Sequence, residues 1–478
     1  MHVKIKSSEL YKQIYDLVLA KIDRKEWKEH EKLPSVRRMA EELNVNRLTV
    51  LRAYQLLKEH KKIYAKEKSG YFVQPEDPSF SLNESQLPEI TDYPYSNLLS
   101  SIHQVVVDYQ FSQALIDPNL LPNSYLSEYV KKVFTLYPKV LGTYSTVQGD
   151  EELRTALSDY FYKTHHFFAP IVELLITSGA QQAIDLVAKV LLRANDTVLV
   201  ERPTYSSAID IFRQYGARII GIEIGQGGYD LNQLEHILKK DKPRFFYTNP
   251  TFNNPTGCTI SALQRKQLVE LAEKYQCVIV EDDPFRDIYF DKAPPFPIYS
   301  YDTDGYVIYI RSFSKYVSPG LRVAAVACRH PLMSHLITSK SLADNGTALI
   351  NQKMFLHYFF SERMQIHLEK LRTALFLRKE VMRNELAATS WKWTDPSGGL
   401  NLWVELPEQI SVEKLLDACL EQSISFVPGS ICDPDQALRS WIRLSFSYAN
   451  EIQLQTGMKK LMTVAETINS DSTYHQSG

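Results

Sequence analysis

Residues 305–322 read "GYVIYIRSFSKYVSPGLR": an apolar run, a lysine set among serines and an aromatic ring, then an arginine. Lysine is at home on solvated surface, so Lys315 placed just beyond a buried-strand pattern asks for a partner. The run has company along the chain. "ELLIT" precedes "QQAIDLVAKVLLR", "DTVLVE" precedes "YSSAIDIFRQYG", and "RFFYT" leads through "SALQRKQLVELAEKYQ" to "CVIVED". Short apolar runs alternating with helical periods predict a parallel sheet covered by helices from about residue 170. Ligands of such sheets sit outside the carboxyl ends of the strands.

Five groups stand at those ends. "ITSGAQQAI" turns from strand to helix through Ser178, Gly179, Ala180 and Gln181, where free N–H groups and the helix dipole make an anion site. "VERPTY" brings Tyr205, a flat ring that can stack on a ligand, although taken alone it reads better as an ordinary core or surface aromatic. "NPTFNNPTG" supplies Asn254 in a tight turn, and "VIVEDDPF" ends a buried strand with Asp282. A carboxylate there is costly unless a cation meets it. Lys315 comes with Ser312 and Ser314 beside it and Arg322 downstream.

Pyridoxal 5′-phosphate satisfies the whole set. Its aldehyde takes an amine as a Schiff base, which Lys315 offers. Its pyridine nitrogen needs an acid, which is Asp282. Gly179, Ala180, Gln181, Ser312, Ser314 and Arg322 suit its phosphate, Tyr205 its ring and Asn254 its phenolic oxygen. A plain surface lysine explains position 315 but leaves the other four groups without a reason.

Composition sets the frame. A chain of 478 residues is expected to hold about two to four domains. With 44% hydrophobic and 23% charged residues it reads as a soluble globular protein, without an apolar run long enough to cross a bilayer. "MHVKIKSSEL" lacks the apolar core of a secretory signal. Cys258, Cys277, Cys328, Cys419 and Cys432 lie far apart, which suits a reducing cytoplasm. His165 and His166 read as an exposed loop pair rather than metal ligands, and no metal is expected. The net charge of −2 hides an asymmetry: residues 1–74 hold 17 Lys and Arg against 10 Asp and Glu, so the remainder is strongly acidic. A basic head on an acidic body suggests that the head meets a polyanion.

Within that head, "SSELYKQIYDLVLAKIDRKEW" places Leu10, Ile14, Leu17 and Leu19 to Ile22 near helical spacing. Pro34 opens a second helix with Met39, Ala40 and Leu43 facing inward, and a third runs from about Arg47 to Glu59 on Val50, Ala53, Tyr54 and Leu57. "KIYAK" and "GYFVQ" complete a hairpin, giving a winged helix-turn-helix of α+β class. "LPSVRRMAEELNVNRLTVLRAYQLL" with "SGYFV" resembles the GntR-type head over residues 1–74. The resemblance implies that the third helix enters the major groove of double-stranded DNA at an operator. Arg47, Thr49 and Arg52 are then candidates for base edges or nearby phosphates, and Ser35, Arg37 and Arg38 for phosphates. Lys66, Lys68 and Gly70 would neighbour phosphates from the wing. Where the family often has a polar residue this chain has Leu51, which unsettles the role of Arg52.

Residues 75–105, rich in Pro, Ser and acids, read as a linker with room for short ordered patches. Beyond it, "YSTVQGDEELR", "SGAQQA", "ERPTY", "NNPTG", "EDDPF", "SFSK", "GGLNLW" and "IRLSFS" resemble, in order, the α/β fold-type I, class I aminotransferases. That resemblance covers an aminotransferase-like body at 106–468, with a smaller subdomain from about 330 and a tail at 469–478. It implies a homodimer in which Tyr144 reaches the partner's phosphate site, and an Arg443 that clamps the carboxylate of an amino-acid ligand. Two departures stand out. Phe285 occupies a place where many relatives have tyrosine, and "FSQALIDPNLLP" lacks the glycine often found near Ala114.

Head plus body resembles the MocR subfamily of bacterial transcription regulators. The resemblance implies a cytoplasmic, homodimeric DNA-binding regulator that senses pyridoxal phosphate, an amino acid or another amine through Lys315, with no membrane partner. The alternative is a working class I aminotransferase carrying a fused DNA-binding head.

Overall fold

A computed structural model describes residues 7–43, 45–60, 62–66, 70–75 and 97–474. The chain divides into two units, Met1–Pro94 and Tyr95–Gly478. In the first, α1 (Ser7–Asp23), α2 (Val36–Glu42) and α3 (Arg47–Glu59) are followed by a hairpin of β1 (Ile63–Lys66) and β2 (Gly70–Val73). The third helix buries Val50, Ala53, Tyr54 and Leu57 completely, as its spacing predicts. Burying Val50 and Leu57 contributes about 1.5–3 kcal/mol each. The Tyr54 hydroxyl donates to the Pro34 carbonyl at 2.9 Å, tying α3 to the start of α2. On α1 the inward positions are Ile14 and Val18, whereas Leu17, expected inside, is exposed. The predicted run around Leu17 has apolar residues on more than one side, so periodicity alone did not choose the face.

The second unit contains α4 (Leu98–Gln104), α5 (Asn123–Leu136), α6 (Glu151–His165), α7 (Ala180–Leu191), α8 (Ser206–Gln214), α9 (Leu231–Asp241) and α10 (Ala262–Tyr275). These are followed by α11 (Leu332–Ala343), α12 (Leu349–Phe359), α13 (Glu362–Leu386), α14 (Val412–Glu421) and α15 (Glu451–Tyr474). Its main sheet comprises β4 (Leu174–Thr177), β5 (Thr197–Arg202), β6 (Arg218–Glu223), β7 (Phe245–Thr248), β8 (Val278–Asp283), β9 (Val307–Ser312) and β10 (Ala324–Ala327). The strand order is β4-β10-β9-β8-β7-β5-β6. A short β3 (Tyr109–Gln110) pairs in parallel with β13 (Ile424–Ser425). The smaller sheet joins β11 (Lys392–Trp393), β12 (Asn401–Glu405), β15 (Trp441–Ser445) and β14 (Val427–Pro428).

Alternation along the strands divides the core. Val198, Val200, Tyr247, Val280, Ile308 and Ile310 pack with α7, α8 and α11 on one face. Leu199, Phe246, Ile279 and Tyr309 pack on the other with α6, α9 and α10. A sheet covered on both faces needs apolar residues at successive positions, which is why "LLIT" and "VIYI" read as unbroken runs. The sheet is not wholly parallel, contrary to the expectation from helix–strand alternation. Between β4 and β9 lies β10, antiparallel to both. Its sequence, "AAVA", carries almost no strand signature, since alanine is a helix former and it is pairing with β4 and β9 that makes it a strand.

Three further expectations need correction. The segment read as a linker to residue 105 is helical over α4, whose Leu99 packs on Trp403, Val427 and Cys432 and whose Ile102 joins the main core. The tail expected from 469 continues α15 through Tyr474. His165 is not a loop residue but the buried end of α6, with Nδ1 bonded to the Thr164 hydroxyl at 2.6 Å; His166 is exposed in the left-handed cap. A buried ring there closes the aromatic cluster of Phe161, Phe167 and Tyr309. No helix among the described residues is long and apolar enough to cross a membrane.

Candidate functional site

In the head, Ser35 caps α2, its hydroxyl accepting from the Arg38 N–H at 3.2 Å. Arg37 and Arg38 point outward and pair with Glu41 at 3.0 Å and Glu42 at 2.8 Å, one turn on. An exposed pair at that spacing is worth about 0.3–0.5 kcal/mol, so each guanidinium is only weakly held. Arg47 is exposed at the first position of α3, 4.0 Å from Glu41; Thr49 is half-buried in the same turn. The Arg52 guanidinium lies 4.5 Å from the centre of the Tyr11 ring, so it is held against α1. Lys66 is exposed, with its amine 5.3 Å from the centre of the Phe72 ring, and Gly70 opens β2 with a φ of +109°. Lys68 falls outside the described residues.

In the body, the carboxyl ends of β4, β5, β7, β8 and β9 surround a cavity of about 170 Å³. Ala180, Gln181, Tyr205, Asn254, Asp282, Ser312, Ser314, Lys315 and Arg322 all line it. The sheet direction explains the convergence. Most sit at or after the end of a strand that points the same way, and Arg322 comes in just before the antiparallel β10, so separate sequence segments arrive at one rim.

Electrostatics sharpen the pair at the centre. Asp282 accepts from the Tyr247 hydroxyl at 2.7 Å through Oδ2, while its buried Oδ1 meets no hydrogen-bond donor among the described residues. Burial pushes its carboxyl up to about 7, against the pull of Tyr247. The amine of Lys315 donates to the Ala114 carbonyl at 3.0 Å. Withdrawal from water, then the positive charges of Arg443 and Arg322, bring that amine down to about 8. A lysine so placed is an amine partly available as a nucleophile near neutral pH.

An anion cradle adjoins them. α7 begins at Ala180 without a side-chain cap, leaving its first N–H groups for another partner. Arg322 adopts the left-handed region, at φ +53°, and donates to the Ser178 carbonyl at 3.0 Å. Gly179 is needed there: its φ is +91°, and a Cβ would lie 2.5 Å from the Arg322 guanidinium. The buried Ser314 hydroxyl has no hydrogen-bond partner among the described residues.

Two expected residues stand apart. Arg443 is buried rather than on the cavity wall, donating through Nη1 to Asn254 Oδ1 at 3.0 Å and through Nη2 to the Ser112 carbonyl. With Oδ1 so engaged, Asn254 has its Nδ2 hydrogens left to offer the cavity. Tyr144 is 88% exposed on the single chain and contributes nothing to this cavity.

Comparison with known proteins agrees with this geometry. The family described as "Aminotransferase class I and II" matches residues 126–461, and "Bacterial regulatory proteins, gntR family" matches residues 10–73. The uncharacterized HTH-type transcriptional regulator YdfD of Bacillus subtilis (strain 168) is 30% identical over 472 residues, 96% of each chain. This chain belongs to the MocR-type GntR regulators. Solved structures resemble the body of this MocR-type chain. The α-aminoadipate aminotransferase LysN of Thermus thermophilus, complexed with N-(5′-phosphopyridoxyl)-L-leucine, is 30% identical with a TM-score of 0.73, over 78% of this chain and 96% of that one. The kynurenine aminotransferase of Pyrococcus horikoshii, in complex with PMP, is 28% identical with a TM-score of 0.75, over 82% and 99%.

Sequence reading of the MocR-type body missed Tyr247 and Asn249, which lie two residues apart at the end of β7. Asn249 lines the cavity, donates to the Asp282 carbonyl at 2.5 Å and accepts from the Asn254 N–H at 2.8 Å. Period-2 alternation carried to the strand end would have found both. Phe285, singled out as a departure, lies in the wall of the cavity and is buried.

Proposed function

We propose that this regulator binds pyridoxal 5′-phosphate covalently at Lys315 and changes its hold on operator DNA when an amino acid or another amine enters the same pocket. The observation that carries this reading is Asp282 Oδ1, buried and without a donor beside the amine of Lys315. An unmet buried acceptor costs about 1–3 kcal/mol, and a protonated pyridine nitrogen would meet it. The orphan Ser314 hydroxyl, the α7 N-terminus and the Gly179–Arg322 contact suit the phosphate, Tyr205 the ring and Asn254 the phenolic oxygen.

The bound group supplies an aldehyde that captures amines and a ring that withdraws electrons. The chain's own residues do the rest. Lys315 offers the amine, Asp282 holds the proton on the ring nitrogen, and Tyr247 fixes the carboxylate in place. Arg443 supplies a guanidinium for an α-carboxylate, and Tyr144 completes the partner's site in a homodimer. Arg47 and Thr49 on α3 face operator DNA, where Arg52 joins them only by leaving the Tyr11 ring, with Ser35, Arg37, Arg38, Lys66, Lys68 and Gly70 near phosphates, in a cytoplasmic protein. A ligand shifts DNA affinity only through different affinities for two arrangements of the protein.

A second reading, a working aminotransferase, is favoured by the same complete set of pocket groups; Phe285 speaks against it, because it cannot donate to the phenolic oxygen. One experiment separates them. Cofactor-loaded protein is mixed with an amino-acid panel and a keto acid, and product is counted against protein. A spectral change without repeated turnover supports the regulator; sustained turnover supports the enzyme. Operator affinity that is the same with and without cofactor and amino acids rejects the sensing reading.

A further inference from the structure

Arg443 is not free to receive a carboxylate without letting something go. Both terminal nitrogens are already used, one by Asn254 and the other by the Ser112 carbonyl. That carbonyl has a second donor, His103 Nε2, at 3.2 Å. A carbonyl only accepts, so Nε2 carries the proton. His103 lies on α4, the first described helix after those of the head, within the segment expected to be linker. Leu99 and Ile102 of the same helix are anchored in the body.

The backbone strap beyond β3 makes this arrangement a junction. The Ala114 carbonyl accepts from Lys315, two residues beyond the carbonyl shared by Arg443 and His103. Leu115, next along, lines the cavity. The strap is otherwise pinned, with the Ser112 hydroxyl bonded to Ser425 at 3.0 Å and the Leu115 carbonyl to Ser447 at 2.7 Å. The charges of Arg443 and Lys315 are felt at the His103 ring, which burial and these two cations hold below its usual range.

We propose that the Ser112 carbonyl is a shared acceptor through which carboxylate occupancy of Arg443 is transmitted, by way of His103, to α4. This rests on the reading of Arg443 as the effector's carboxylate clamp. When a carboxylate takes the Nη2 donor, the Ser112 carbonyl loses one of its two tethers and the strap loosens on the pocket side. His103 then remains the one bond between that carbonyl and α4. Ligand binding thereby softens α4. His103 is a positioning residue here, because it acts through Ser112.

The test uses full-length, cofactor-loaded protein and three probes: L-leucine, L-kynurenine and L-aspartate. Visible absorbance reports whether a probe engages the cofactor, and hydrogen exchange reports the backbone amides of residues 98–106. The expected result is an absorbance change with at least one probe, accompanied by about threefold or faster exchange in α4. In His103→Leu, α4 should exchange fast already and gain little on adding the same probe, while His103→Gln, which keeps a donor near the Nε2 position, should restore the gain. By reciprocity the probe's affinity shifts by about fivefold in the leucine variant. An absorbance change with unaltered α4 exchange in the wild-type protein overturns the relay and leaves the effector reading standing. A full exchange gain in His103→Leu also overturns the relay. No absorbance change with any probe overturns the effector reading and the relay together. The wild-type and His103→Gln measurements decide the matter if the leucine variant does not fold.

Discussion

The head and the body carry their chemistry in opposite ways. In the head, Arg37, Arg38 and Arg47 are exposed charges resting on carboxylates of the same small unit. In the body, Asp282, Ser314 and Arg443 are buried, and each keeps a polar atom without a partner. Water satisfies an exposed charge, so its rest position says little about what it binds. A buried polar atom is satisfied by structure or not at all, so its unmet valence describes the ligand. The body therefore states its ligand's chemistry more sharply than the head states its sequence preference.

That contrast can be broken at five points. Lys315→Ala has the largest expected effect: cofactor retained after dialysis, read by visible absorbance, falls to none, while circular dichroism stays that of a folded protein. Retention equal to wild type rejects the anchor. Next comes Asp282, whose folded carboxyl titrates near 7 against an ordinary 3.8. A raised acid stabilises the fold below its unfolded value and loses that contribution as pH rises to the folded one. Cofactor-free protein should thus lose stability from about pH 4 to 7, by a few kcal/mol at one unit per 1.36 kcal/mol. Chemical denaturation should show a clearly smaller loss in Asp282→Asn; Glu281, also raised to about 7, remains in both proteins.

Third, Arg443→Ala should weaken the amino-acid response by about 2–5 kcal/mol, roughly 30-fold or more, as for a truncated buried charge contact. Cofactor retention should persist, and titration of the absorbance change checks both. The head gives smaller numbers. Arg47→Ala should cost about 1–3 kcal/mol at the operator and relax its specificity, measured against scrambled DNA at fixed salt. Lys66→Ala should weaken all sequences alike and reduce the salt slope by about one. Equal losses from both substitutions on every sequence would mean that α3 does not read bases.

Much of this was legible in the sequence, and the exceptions have physical causes. The pocket residues were readable because each ends a buried strand, and the direction of a covered sheet brings such ends together. β10 was not, since four small residues become a strand only by being placed between β4 and β9. The role of the Ser112 carbonyl was invisible for a stronger reason: a backbone oxygen leaves no mark on side-chain pattern. α4 was hidden in a composition that suits a linker, although Asn97 caps it and Leu99 and Ile102 fall at helical spacing. In the head, core positions of α3 were readable from period alone, but the packing of Arg52 on Tyr11 needed the fold to bring α1 beside α3.

The unmet oxygen of Asp282 has a consequence for the protein's lifetime. A regulator that keeps an unsatisfied acid in its core is opened more often, and proteases act on the opened form. Loading should relieve that burden and slow turnover, as binding to the folded state alone does in general. The amount of this regulator in a growing cell should accordingly follow the supply of its own prosthetic group, even where no gene for it is switched.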